Sequence, residues 1–145
     1  MPGITNPAEE YFKDGQWGWD GTQWRKSALP FGYTAQVLAQ VLVASAAGGT
    51  NILTGSGPST GEIWCITAME MHDATTGVTL ARLGVLSGGV YYWAATCAAL
   101  AAAVGFSWSG SIYLVNGDVV VGRLDGCTAG DALYLNYLGY KMAVV

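Results

Sequence analysis

Downstream of residue 33 the apolar residues recur mostly at alternate positions, in short runs cut by Gly-rich turns. A period of two is the mark of a half-buried β-strand, because successive side chains point to opposite sides of the backbone. Residues 62–72 (EIWCITAMEMH) set Ile63, Cys65, Thr67 and Met69 against Trp64, Ile66, Ala68 and Glu70. Residues 78–86 place Thr79, Ala81, Leu83 and Val85 on one side. Residues 36–46 (QVLAQVLVASA) also fit a helix with Val37, Gln40, Val41 and Ala44 on one face. The β-branched residues at odd positions and the Gly48-Gly49 stop favour a strand there. Further strands are predicted at 51–54, from 90 to about 96, at 112–115, at 118–124 and within 132–145, where Gly139 marks a kink or bulge.

The punctuation supports the same class. Residues 55–61 form a Gly- and Ser-rich loop, and 74–77, 87–89, Asp125-Gly126 and 129–131 are predicted turns. Asn116-Gly117 is predicted to close a tight hairpin, since Asn-Gly is the favoured pair for a type I′ turn. The Ala-rich stretch 98–104 is predicted to form a helical turn. Eight or nine strands with turns every 8–12 residues indicate an all-β sandwich or barrel.

The first 33 residues read differently. Pro2, Gly3, Asn6 and Pro7 deny a helix at the start. Asp20-Gly21 is predicted to turn a small hairpin with strands at 16–19 and 22–25. Residues 27–33 connect onward through Pro30 and Gly32. The chain therefore divides into an N-terminal arm with a Trp-rich hairpin, residues 1–33, and a β-sandwich body, residues 34–145.

Charge sharpens that division. Seven charged residues fall before residue 27: Glu9, Glu10, Lys13, Asp14, Asp20, Arg25 and Lys26. The remaining 119 residues share nine. Only 11% of the chain is charged, against about 25% in average soluble domains. A lone copy would keep large neutral surfaces in water, which favours association, so the chain is expected to be an assembly subunit. No basic cluster offers phosphate contacts, so nucleic acid is not an expected partner. The start of the chain lacks the basic and apolar segments of a secretory leader. The uncharged stretch 85–106 is interrupted by Gly88-Gly89 and reads as two strands rather than a membrane span.

Catalytic chemistry is sparse. His72 is the only histidine, which excludes a multi-His metal site within one chain and points to a structural role. Asp118, Asp125 and Asp131 lie at predicted turns, where carboxylates bond local backbone N–H groups. Residues 55–61 lack the Lys of a phosphate loop. Cys65, Cys97 and Cys127 are widely spaced without a C-x-x-C pair and are expected to be free thiols in strands. No cofactor and no enzymatic activity are expected. The candidate binding residues are Tyr11, Phe12, Trp17, Trp19, Trp24, Arg25 and Lys26, because aromatic and Arg side chains dominate binding hot spots. Three uses of the tryptophan hairpin stand open: capping the chain's own core, docking on a neighbouring subunit, and stacking on carbohydrate.

Two segments resemble structural proteins of tailed bacteriophages. WGWDGTQWRK, residues 17–26, is similar to short hairpins in those proteins, and residues 109–142 are similar to the last strands of small virion jelly rolls. The resemblance implies a jelly-roll virion component on the capsid surface, a decoration (cement) protein. It would form homotrimers, and its arm would clamp the major capsid protein. A tail or head-fibre adhesin that binds host glycans is the alternative it implies.

Overall fold

The computed structural model describes residues 17–19, 24–26 and 32–143. Ten strands run along the described chain: β1 Trp17–Trp19, β2 Trp24–Lys26, β3 Gly32–Val43, β4 Gly49–Thr54, β5 Glu62–Asp73, β6 Val78–Ser87, β7 Val90–Leu100, β8 Phe106–Leu114, β9 Val119–Cys127 and β10 Leu133–Ala143. The first two form a ladder of their own. The other eight build two antiparallel four-stranded sheets, ordered β3-β10-β5-β8 and β4-β9-β6-β7. Strand pairs β3/β10, β4/β9, β5/β8 and β6/β7 are nested, as when one long hairpin is rolled up, and this is the strand order of a jelly roll. The chain is an all-β sandwich.

The sheets bury a common apolar layer. Leu53, Ala81, Leu83, Val120 and Leu124 from one sheet meet Ile66, Met69, Met71, Leu114, Leu133 and Leu135 from the other. Burying each large side chain contributes about 1.5–3 kcal/mol relative to leaving it in water. Gly122 makes room in this layer, since a Cβ there would sit 2.6 Å from Met71 Cε. Tyr137 reaches from β10 to the 55–61 loop, where its hydroxyl accepts from Ser56 N at 2.8 Å. Asp131 is buried between two loops and accepts from the Thr76 hydroxyl and from Thr128 N, the latter at 2.8 Å.

Several local expectations change under tertiary pairing. Asn116-Gly117 does not close a hairpin, because β8 pairs with β5 while β9 pairs with β4 and β6. Only Gly117 has a positive φ, 97°, whereas a type I′ turn needs both central residues there. The turn carries the chain between sheets, closed by Asp118 N to Val115 O at 3.0 Å and anchored by Asn116 Nδ2 on Pro58 O at 3.3 Å. Asp125-Gly126 is no turn: both residues lie within β9, at an irregularity of register against β4. The Ala-rich stretch forms no helical turn. Ala98 and Leu100 are held in the ladder by Leu80 and Val78, which outweighs alanine's helix preference.

The strict alternation in β5 also breaks. Trp64 and Ile66 are buried at its start, but Met69 and Met71 are the core residues further on. The register shift opposite Leu138 and Gly139 inserts Thr67 and moves the core positions from even to odd. The tight Gly-Gly hairpin occurs between β6 and β7, where Gly88 and Gly89 have φ of 57° and 80°. β3 is a strand, as its odd-numbered apolar residues suggest, and it starts at Gly32, ahead of the expected boundary.

Candidate assembly surface

The tryptophan hairpin exists, in a different register from the predicted one. Trp19 pairs with Trp24, Gly18 with Arg25 and Trp17 with Lys26, so four residues rather than two separate the strands. Trp17, Trp19, Trp24, Arg25 and Lys26 are thus brought into one short ladder. Tyr11 and Phe12 lie outside the described residues.

The outer face of the β3-β10-β5-β8 sheet is built from cross-strand rows. One row runs Leu38, Leu138, Ala68, Ser109, and the next runs Gln40, Asn136, Glu70, Ser107. Leu38 is 73% exposed, with Leu42, Tyr113 and Leu138 also open to solvent. The small Ala68, Ser107 and Ser109 leave a groove of about 420 Å³ beside Leu38 and Leu138. Across it runs a hydrogen-bond chain. Gln40 Nε2 donates to Asn136 Oδ1 and Asn136 Nδ2 to Glu70 Oε2, both at 2.8 Å. Glu70 Oε1 accepts a hydrogen bond from His72 Nδ1 at 2.8 Å, and the His72 ring stacks on Tyr134 with centroids 4.9 Å apart. Glu70 and His72 are therefore engaged with each other and with Asn136, an arrangement that orders a sheet face.

The opposite outer face carries two arginines side by side, Arg82 on β6 directly across from Arg123 on β9. Asp125 Oδ1 accepts from Arg123 Nε and from Thr50 Oγ1, both at 2.8 Å. The Arg123 hydrogen bond holds the Asp125 carboxyl below its ordinary value. Arg82 lies 6.0 Å from the Trp93 ring, which stacks on Tyr91 at 5.4 Å. Ile52, Val90, Tyr91 and Tyr92 remain exposed in this sheet.

Of the carboxylates expected at turns, Asp118 and Asp131 serve that role. Asp118 accepts from Val115 N at 3.0 Å. Asp125 instead braces Arg123 within β9. Cys65 and Cys127 are buried and Cys97 is half-buried, and all three are free thiols. Burial pushes the Cys127 thiol up. A hydrogen bond with Cys65, helped by burial, pushes the Tyr140 phenol up to about 12. Among the described residues no group of three or more His, Cys, Asp or Glu is placed to hold a metal ion.

Leu38, Leu42, Ile52, Tyr92 and Tyr113 were not singled out by sequence reasoning. Each sits in an ordinary alternating run, and nothing local marks which side of such a run faces water.

Comparison with known proteins found no matching family model and no matching curated protein. Among solved structures, a chain from "Bacillus endospore appendages form a novel family of disulfide-linked pili" aligns over 83% of this chain and 99% of that one. The two are 18% identical, with a TM-score of 0.43. So low a score carries no weight for fold or function, and the architecture rests on the strand order described above.

Proposed function

We propose that this chain is a non-enzymatic structural subunit of a bacteriophage virion, a capsid decoration protein. In this reading it trimerises and holds adjoining capsid subunits through its N-terminal arm. The observation that carries the proposal is the exposure of large apolar side chains on both outer faces of a sandwich with little charge. Leu38, Leu42, Leu138 and Tyr113 lie on one, and Ile52 and Tyr91 on the other. Covering a fully exposed leucine contributes about 1.5–3 kcal/mol, so a few such contacts repeated around a shell give a cohesive layer. The resemblance of residues 17–26 and 109–142 to phage virion proteins supports the capsid setting of this reading.

The test removes residues 1–26 and measures both self-association and capsid binding. The expected result is a body that still sediments as a trimer and no longer attaches to capsids. Unchanged attachment refutes the clamping role of the arm. A full-length chain that sediments as a dilute monomer, with no affinity for capsids or its own copies, refutes the whole proposal.

A further inference from the structure

The charges of the sandwich are arranged against the usual pattern. Natural sheets protect their edge strands with Lys, other charges or Pro, because an edge offers unpaired N–H and C=O groups to any passing strand. Here the four edge strands are β3, β4, β7 and β8, with 12, 6, 11 and 9 residues. None contains Asp, Glu, Lys, Arg, His or Pro. Every charged strand residue of the two sheets is on a central strand: Glu62, Glu70 and Asp73 on β5, Arg82 on β6, Arg123 and Asp125 on β9, and Lys141 on β10.

A separate observation points the same way. Among the described residues ten large apolar side chains stay exposed, and seven lie on edge strands: Leu38, Leu42, Ile52, Val90, Tyr91, Tyr92 and Tyr113. Edges that are uncharged, free of proline and flanked by apolar side chains are suited to receive another strand.

We infer that copies of this chain join flank to flank by strand addition, the β3/β4 flank of one meeting the β7/β8 flank of the next. β3 and β4 approach each other along one side of the sandwich, and β7 and β8 along the other. The occupant follows from both flanks lacking charge and proline among the described residues. A foreign partner at one flank would leave the other in need of the usual protection, whereas a head-to-tail neighbour of the same kind uses both. Such a contact closes into a ring if its rotation permits and otherwise extends as a filament. The inference rests on the reading that copies assemble, and it names the surface they use.

The experiment uses two full-length variants and a control. Leu38→Lys/Ile52→Lys charges one flank, and Tyr92→Lys/Tyr113→Lys charges the other. Thr79→Lys puts the same charge on an exposed position of central β6. Sedimentation is measured on each variant alone and on the two flank variants mixed. Each flank variant alone is expected to be monomeric, needing about 100-fold more protein to assemble. The mixture is expected to form a dimer of one copy of each, since each retains the flank the other has lost. The control is expected to assemble like the parent.

Flank variants that assemble alone like the parent overturn the inference while the assembly reading stands. A mixture that stays monomeric overturns the head-to-tail arrangement. A parent that is itself monomeric overturns the assembly reading. Amide exchange on the unaltered chain gives a readout independent of the variants' folding. Amides of β3 and β7 that point away from their own sheets are expected to exchange slowly in the assembly and quickly on dilution. Equal exchange in both states refutes strand addition.

Discussion

Gly139→Ala tests the β5–β10 seam that holds one sheet together. Gly139 sits at the register shift where β10 passes the extra residue of β5. A Cβ added there would lie 1.9 Å from Cys65 O and 2.9 Å from both Cys65 C and Ile66 Cα. All three are backbone atoms, so no side chain can swing aside, and room appears only if the two strands part. Overpacking costs about 1–3 kcal/mol, and losing roughly two ladder bonds adds about 1 kcal/mol each, for a total near 3–5 kcal/mol. In a body of this size each kcal/mol lowers the melting temperature by about 4 °C, so a fall of roughly 12–20 °C is expected. The assay is thermal unfolding by far-UV circular dichroism at matched protomer concentration, because association shifts the midpoint. Gly48→Ala is the companion measurement: its nearest neighbours would be atoms of Ala129 at 3.9 Å. That variant is expected to melt within about 2 °C of the parent. If Gly139→Ala also melts within about 3 °C of the parent, the steric reasoning at the bulge is wrong.

Two further outcomes follow from buried groups. The Thr76 hydroxyl, then the Thr128 N–H, holds the Asp131 carboxyl below its ordinary value. A depressed folded pKa contributes stability above the unfolded value and loses it as pH falls through the folded one, so the melting temperature should drop below about pH 4. Asp131→Asn keeps an acceptor without the charge, and a drop as steep in the variant as in the parent would exclude this carboxyl as its source. The second outcome concerns thiols. Cys97 is half-buried, whereas Cys65 and Cys127 are 0% and 5% exposed. A thiol reagent should therefore label Cys97 first in the folded protein and all three after denaturation. Rapid labelling that persists in Cys97→Ser would show that the buried thiols are reachable.

The hairpin near the start shows how far local reading extends. Asp20-Gly21 correctly signals that the chain reverses between two Trp-bearing strands, yet the pairing of Trp19 with Trp24 is two residues off on the second strand. Turn chemistry says where a reversal is favourable, while register is set by which pairs pack together. His72 illustrates the other side. A structural role was legible because one histidine has no second to share a metal with. Its partners, Glu70 two residues away and Tyr134 on another strand, belong to the folded sheet.

Alternation of apolar and polar residues and the Gly-rich punctuation determined on their own that this is an all-β chain. Both signals arise within a few residues, where side-chain direction and permitted φ decide the conformation. The shortage of charge, likewise a property of the chain alone, pointed to association. Pairing was decided only in three dimensions. It turned Asn116-Gly117 into a crossing between sheets, absorbed Asp125-Gly126 into β9 and kept Ala98 in a ladder. Those outcomes depend on partners far along the chain, so no local window contains them. The edge or central place of each strand belongs to the same level. Only after the sheets are ordered do seven of the nine charges prove to lie on central strands, leaving four edge strands without charge or proline.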